Sequence, residues 1–137
     1  MLALLVEEQS VSASELQRAL ESVGFAVEIA NSGRHGVQRA LHLRPDIVFL
    51  DRGIPQMTSW EAAQRIRAHA PHTSTRVIRL TRNQKNEMAR CIGKVASRVS
   101  NLSAEEVCEI YKLMRVRAQE RLKDALRSQH TAGTEPL

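Results

Sequence analysis

The chain has 137 residues, 42% hydrophobic, 26% charged and only 3% aromatic, which suits one domain with a mostly aliphatic core. Its formal net charge of +5 is lopsided: residues 1–60 carry seven acids and five bases, and residues 61–137 carry eight acids and fifteen bases. A basic half can attract nucleic acid, anionic lipid or an acidic partner, but no helix-turn-helix or zinc-finger spacing accompanies it.

Leu2 to Val6 is a continuous apolar run that stops at Glu7 and Glu8. It reads as a buried strand and is too short for a membrane span or a signal peptide. Ser12-Ala-Ser-Glu15 has the form of a capping box, followed by Leu16, Ala19, Leu20 and Val23 at helical spacing and stopped by Gly24. Phe25 to Ala30 reads as a second strand, and Val37, Ala40, Leu41 and Leu43 as a short helix closed by Arg44-Pro45.

Asp46-Ile-Val-Phe-Leu50 is the strongest strand, apolar after its first residue and therefore central. Asp51 follows it directly. Thr58-Ser-Trp-Glu61 is a second capping box ahead of Ala62, Ala63, Ile66 and Ala70, with a loop over 71–74. Arg76 to Leu80 is a further strand, ended by Thr81.

Beyond that the pattern weakens. Met88, Cys91 and Ile92 predict a short helix, and 95–99 a short fifth strand. Ser103-Ala-Glu-Glu106 is a third capping box, opening a long helix over about 103–129. Residues 130–137 read as a disordered tail. Cys91 and Cys108 lack metal-ligand spacing and read as small buried residues of a reduced, intracellular chain.

Strands and helices alternate about five times, so the fold class is α/β with a mostly parallel sheet and helices on both faces. Ligands of such sheets bind beyond the carboxyl ends of the strands. There the sequence places Glu7, Glu8, Asp51 and Thr81. Carboxylates and hydroxyls are hard oxygen ligands of the kind Mg²⁺ uses, and a carboxylate can also accept a phosphoryl group as nucleophile. No nucleophile–base pair, glycine-rich phosphate loop or nucleotide fingerprint marks an enzyme.

Arg44-Pro-Asp-Ile-Val-Phe-Leu-Asp51, with Pro55 and Met57 behind it, resembles the phosphoacceptor segment of response-regulator receiver domains. Leu4-Leu-Val-Glu-Glu8 resembles their first strand and acidic pair. Val77-Ile-Arg-Leu-Thr81 resembles their fourth strand and its hydroxyl residue, and Ser100-Asn-Leu-Ser-Ala-Glu-Glu-Val107 the start of their last helix. The resemblance covers about residues 1–115 and is weakest over 82–99. It implies a flavodoxin-like (βα)5 three-layer sandwich of order 2-1-3-4-5 over residues 1–129, here with an extended C-terminal helix. It further implies Asp51 as phosphoacceptor for a sensor histidine kinase or phosphotransfer protein, and Thr81 as the switch hydroxyl. Mg²⁺ would be held by Glu7, Glu8, Asp51 and the Gly53 carbonyl.

Four departures suggest an atypical or pseudo-receiver. Glu8 stands where the family usually has aspartate, which lengthens the side chain by about 1.5 Å and weakens a Mg²⁺ site that needs near-ideal octahedral geometry. Ser100 and Asn101 align with the lysine and proline ahead of the last helix, and Lys94 lies too early to serve. Ser97 aligns with the aromatic switch residue. Arg82 follows Thr81 in place of a small residue and is a candidate substitute for the missing lysine.

The expectation is therefore a stand-alone, cytoplasmic, non-enzymatic signalling module with impaired Mg²⁺-dependent phosphorylation. It would act on a downstream protein target, and its basic last helix offers a homodimer contact. The alternatives are a fully functional phosphoacceptor at Asp51 and a nucleic-acid- or scaffold-binding module.

Overall fold

The structure is a computed structural model describing residues 1–8, 10–69 and 74–134, with backbone alone at 10–12 and 130–134. Four strands are β1 (Leu2–Val6), β2 (Ala26–Ala30), β3 (Ile47–Asp51) and β4 (Arg76–Leu80). Five helices are α1 (Ser10–Ser22), α2 (Gly33–Leu43), α3 (Ser59–His69), α4 (Arg82–Ala96) and α5 (Ala104–Thr134). All pairings are parallel, in the order β2-β1-β3-β4.

The continuous apolar runs explain the two central strands. Side chains alternate between the faces of a strand, and both faces here are covered. Ala3, Leu5, Ile47, Phe49, Ile78 and Leu80 point into one core, with Leu16 and Leu20 of α1, Met88 and Ile92 of α4 and Val107 of α5. Leu4, Val6, Val48 and Leu50 point into the other, with Val37 and Ala40 of α2 and Ala62, Ala63 and Ile66 of α3. Helix α2 comes so close to β1 that a Cβ on Gly36 would lie 2.6 Å from Val6 Cγ2; only glycine fits there. Gly24 turns the chain from α1 into β2 at φ 95°.

The capping box at the start of α5 forms, Ser103 and Glu106 bonding reciprocally; at α3 Glu61 N–H donates to Thr58 Oγ1 at 3.0 Å while the Glu61 carboxylate pairs with Arg65. The box read at Ser12 does not start a helix, because α1 already begins at Ser10.

The second half differs from expectation in one region. No strand forms over 95–99; among the described residues the sheet ends at β4. Val95 and Ala96 instead complete α4, which starts at Arg82 and packs on α1 rather than feeding a fifth strand. The reason is a capping box that the apolar pattern did not reveal: Thr81 Oγ1 accepts from Gln84 N–H at 3.2 Å, and Gln84 Oε1 accepts from Thr81 N–H at 2.9 Å. Helix α5 runs to Thr134, past the expected end at 129; the rest of the expected tail, 135–137, lies outside the described residues, as does most of the loop at 71–74. Both cysteines are half-buried rather than buried.

Candidate functional site at the carboxyl ends of β1, β3 and β4

β1 delivers Glu7 at the end of its apolar run, hydrogen-bonded through its N–H to the Ala30 carbonyl at 2.9 Å. β3 delivers Asp51, and β4 delivers Thr81. The central position of β1 and β3 sets the two carboxylates side by side on one sheet edge.

Their common partner is Lys85. It sits one turn into α4, on the same stripe as Met88 and Ile92, and its side chain is only 4% exposed. Its ammonium pairs with Glu7 Oε2 at 2.9 Å and with Asp51 Oδ2 in a still shorter contact. Asp51 Oδ1 accepts a 2.7 Å hydrogen bond from Gly53 N–H. The carboxylate of Asp51 is thus held from both sides, and it keeps partial access to solvent, its side chain being 21% exposed.

Glu7 is almost sealed, and its Oε1 is buried with no hydrogen-bond partner. Burial raises its pKa; the hydrogen bond and charge of Lys85 oppose that rise, Asp51 adds to it, and Arg82 opposes it weakly. The net result is a Glu7 carboxyl that holds its proton more tightly, burial outweighing its shared ammonium.

The remaining candidates are placed differently. Glu8 is exposed. Among the described residues no three His, Cys, Asp or Glu side chains come together in a way that could hold a metal ion, so Glu7, Glu8 and Asp51 do not form the expected cluster. The space between Glu7 and Asp51 holds the Lys85 ammonium, a donor and not a metal ligand. The Thr81 hydroxyl is engaged in capping α4. Arg82 is exposed, and its charge bears on Glu7; Lys85, three residues on, contacts Asp51 directly.

Sequence reading missed Lys85. The signal was present in Thr81-Arg-Asn-Gln84, which has the capping-box form. A helix begun there carries Lys85, Met88 and Ile92 on one face, which buries the lysine beside the strand ends.

Residues 3–98 match the response regulator receiver domain family. The chain belongs to that family. It is 28% identical over 68 residues to the transcriptional regulatory protein CusR of Escherichia coli K12, a match covering 50% of this chain but 30% of CusR. The response regulator domain of Thermotoga maritima CheB shares the fold at a TM-score of 0.55 and 21% identity, covering 88% of this chain and 94% of that one. CheX-CheY-BeF3-Mg+2 from Borrelia burgdorferi gives 0.56 and 21%, covering 85% and 88%. The parallel α/β architecture expected from the sequence is therefore that of receiver domains, here with four strands and a long last helix. No helix among the described residues is long and apolar enough to cross a membrane.

Proposed function

We propose that this receiver domain serves two-component signalling in the cytoplasm as a non-enzymatic, protein-binding module, with Mg²⁺-dependent phosphorylation of Asp51 impaired. The observation that carries the reading is Lys85: its buried ammonium already pairs with both Glu7 and Asp51, carboxylates a divalent cation would need. A cation entering there must displace a paired, desolvated lysine, and Glu8, out at the surface, offers it little. Lys85 gives Asp51 a cationic partner although Ser100 replaces the usual lysine. Thr81 remains the candidate switch hydroxyl, but it must leave the cap of α4 to act.

The partners in this reading are a histidine kinase or phosphotransfer protein on one side and a downstream protein on the other. A second copy of the chain is a further partner, through α5, whose Leu113, Val116, Leu122 and Leu126 are exposed.

Acetyl phosphate tests the central point. In the reaction an Asp51 carboxylate oxygen attacks phosphorus, the bond from phosphorus to the acetate oxygen breaks, and acetate leaves. Intact mass after incubation with acetyl phosphate is expected to show little or no phosphoryl adduct, with no gain on adding Mg²⁺. A single Mg²⁺-dependent adduct that disappears in Asp51→Asn would establish a working phosphoacceptor instead.

A further inference from the structure

β4 closes the sheet on one side. Arg76 N–H bonds to the Asp46 carbonyl and Arg52 N–H to the Leu80 carbonyl, so Arg76, Ile78 and Leu80 turn their peptide groups toward β3. By the alternation of a parallel ladder, those of Val77 and Arg79 face outward. Two side chains meet the outward carbonyls. Arg67 Nη2, from α3, donates to Val77 O at 3.3 Å, and the Tyr111 hydroxyl, from α5, donates to Arg79 O at 3.5 Å. Both contacts are longer than ordinary hydrogen bonds of their kind, and both stand weakly where the N–H groups of a neighbouring strand would donate.

Between this edge and α5 lies an open groove of about 730 Å³. Arg67, Arg76, Lys112 and Arg115 line it, and among the described residues no acidic side chain does. Arg76 is engaged with Glu105 at 2.9 Å, Lys112 with Glu109 at 3.2 Å, and Arg115 lies over the Tyr111 ring. Glu105, Glu106 and Glu109 line an adjoining recess with Arg76 and Lys112, which bounds the basic stretch near the start of α5. On the helix wall Val116 is 49% exposed, an apolar contact beside the cations.

We propose that the β4 edge and its groove take up an acidic, extended segment of a partner protein as an added strand. Main-chain hydrogen bonds to Val77 and Arg79, replacing the long contacts from Arg67 and Tyr111, give such an addition its direction. The basic lining, in which Arg76 and Lys112 already pair with glutamates at the helix wall while Arg67 and Arg115 add two further charges, selects against a basic segment. This docking surface is separate from Asp51 and stands whether or not Asp51 is phosphorylated.

The probe is a fluorescein-labelled peptide of alternating Glu and Val, titrated with the full chain and read by anisotropy. Saturable binding that weakens with added salt is expected. It should fall roughly tenfold or more in the Lys112→Glu, Arg115→Glu double variant, whose two sites are exposed and whose folding circular dichroism can check. A Lys–Val peptide should not bind. The Glu–Val peptide N-methylated at alternate residues keeps its charge but loses strand donors, and should also fail. Absence of binding would overturn the proposal, as would equal binding of the N-methylated peptide, which means charge without strand addition. So would self-association of the chain that the acidic peptide cannot disturb, which would assign the groove to a second copy.

Discussion

Residues 1–81 and 82–103 of this chain contribute to the same site by opposite routes. In the first stretch, apolar strands project oxygen ligands from their ends, and each ligand sits where its strand leaves it. In the second, a helix cap formed by Thr81 and Gln84 replaces the expected loop and strand and carries a lysine into the space between Glu7 and Asp51. In this chain the cation beside Asp51 therefore comes from α4 and not from the position ahead of α5. Its stem is buried and its ammonium is paired with the two carboxylates.

The largest expected effect breaks that pairing at its centre. Lys85→Met keeps the apolar stem but removes the ammonium, leaving the buried Glu7 carboxylate uncompensated beside Asp51. Loss of one partner of a buried pair costs about 3–5 kcal/mol, to be read as a fall in the urea midpoint. Adding Glu7→Gln removes the orphaned charge and should recover a large part of the loss. A Lys85→Met variant as stable as the parent would mean that α4 does not hold its lysine in this site.

Next in size is the packing that delivers the lysine. Ile92 is fully buried on the stripe of α4 that faces α1. Ile92→Ala should cost about 2–5 kcal/mol in the same unfolding measurement. An effect below about 0.5 kcal/mol, typical of a surface site, would contradict the docking of α4 on the sheet.

The two stretches also differ in legibility, and for a physical reason. Strands β1 and β3 are covered on both faces, so their sequences are continuous apolar runs whose ends fix Glu7 and Asp51 within a residue. The placement of Asp51 after the central strand is therefore legible in the sequence alone. Helix α4 buries only Lys85, Met88 and Ile92, and a stripe that includes a lysine does not read as apolar. Its first turn therefore reads as a loop and its last residues as a strand, and Arg82 rather than Lys85 stands out as the cation. Nor can the alternation of polar and apolar residues report that Glu8 faces solvent while Glu7 is sealed; that depends on how β1 ends against Ala30.

The smallest effect concerns the cap on which the second route depends. Thr81→Ala removes the oxygen that accepts from Gln84 N–H and so one half of the capping box. Loss of an N-cap oxygen costs about 1 kcal/mol. The cap lies four residues before Lys85, and fraying of the first turn loosens the lysine's hold on Asp51, so the cost should shrink once Lys85 is already methionine. A double-mutant cycle between Thr81→Ala and Lys85→Met measures this directly: coupling of about 0.5 kcal/mol or more is expected for residues sharing one local structure. Strict additivity would separate the cap from the cation, and would leave the Thr81 hydroxyl available for a switch without disturbing the pair at Asp51.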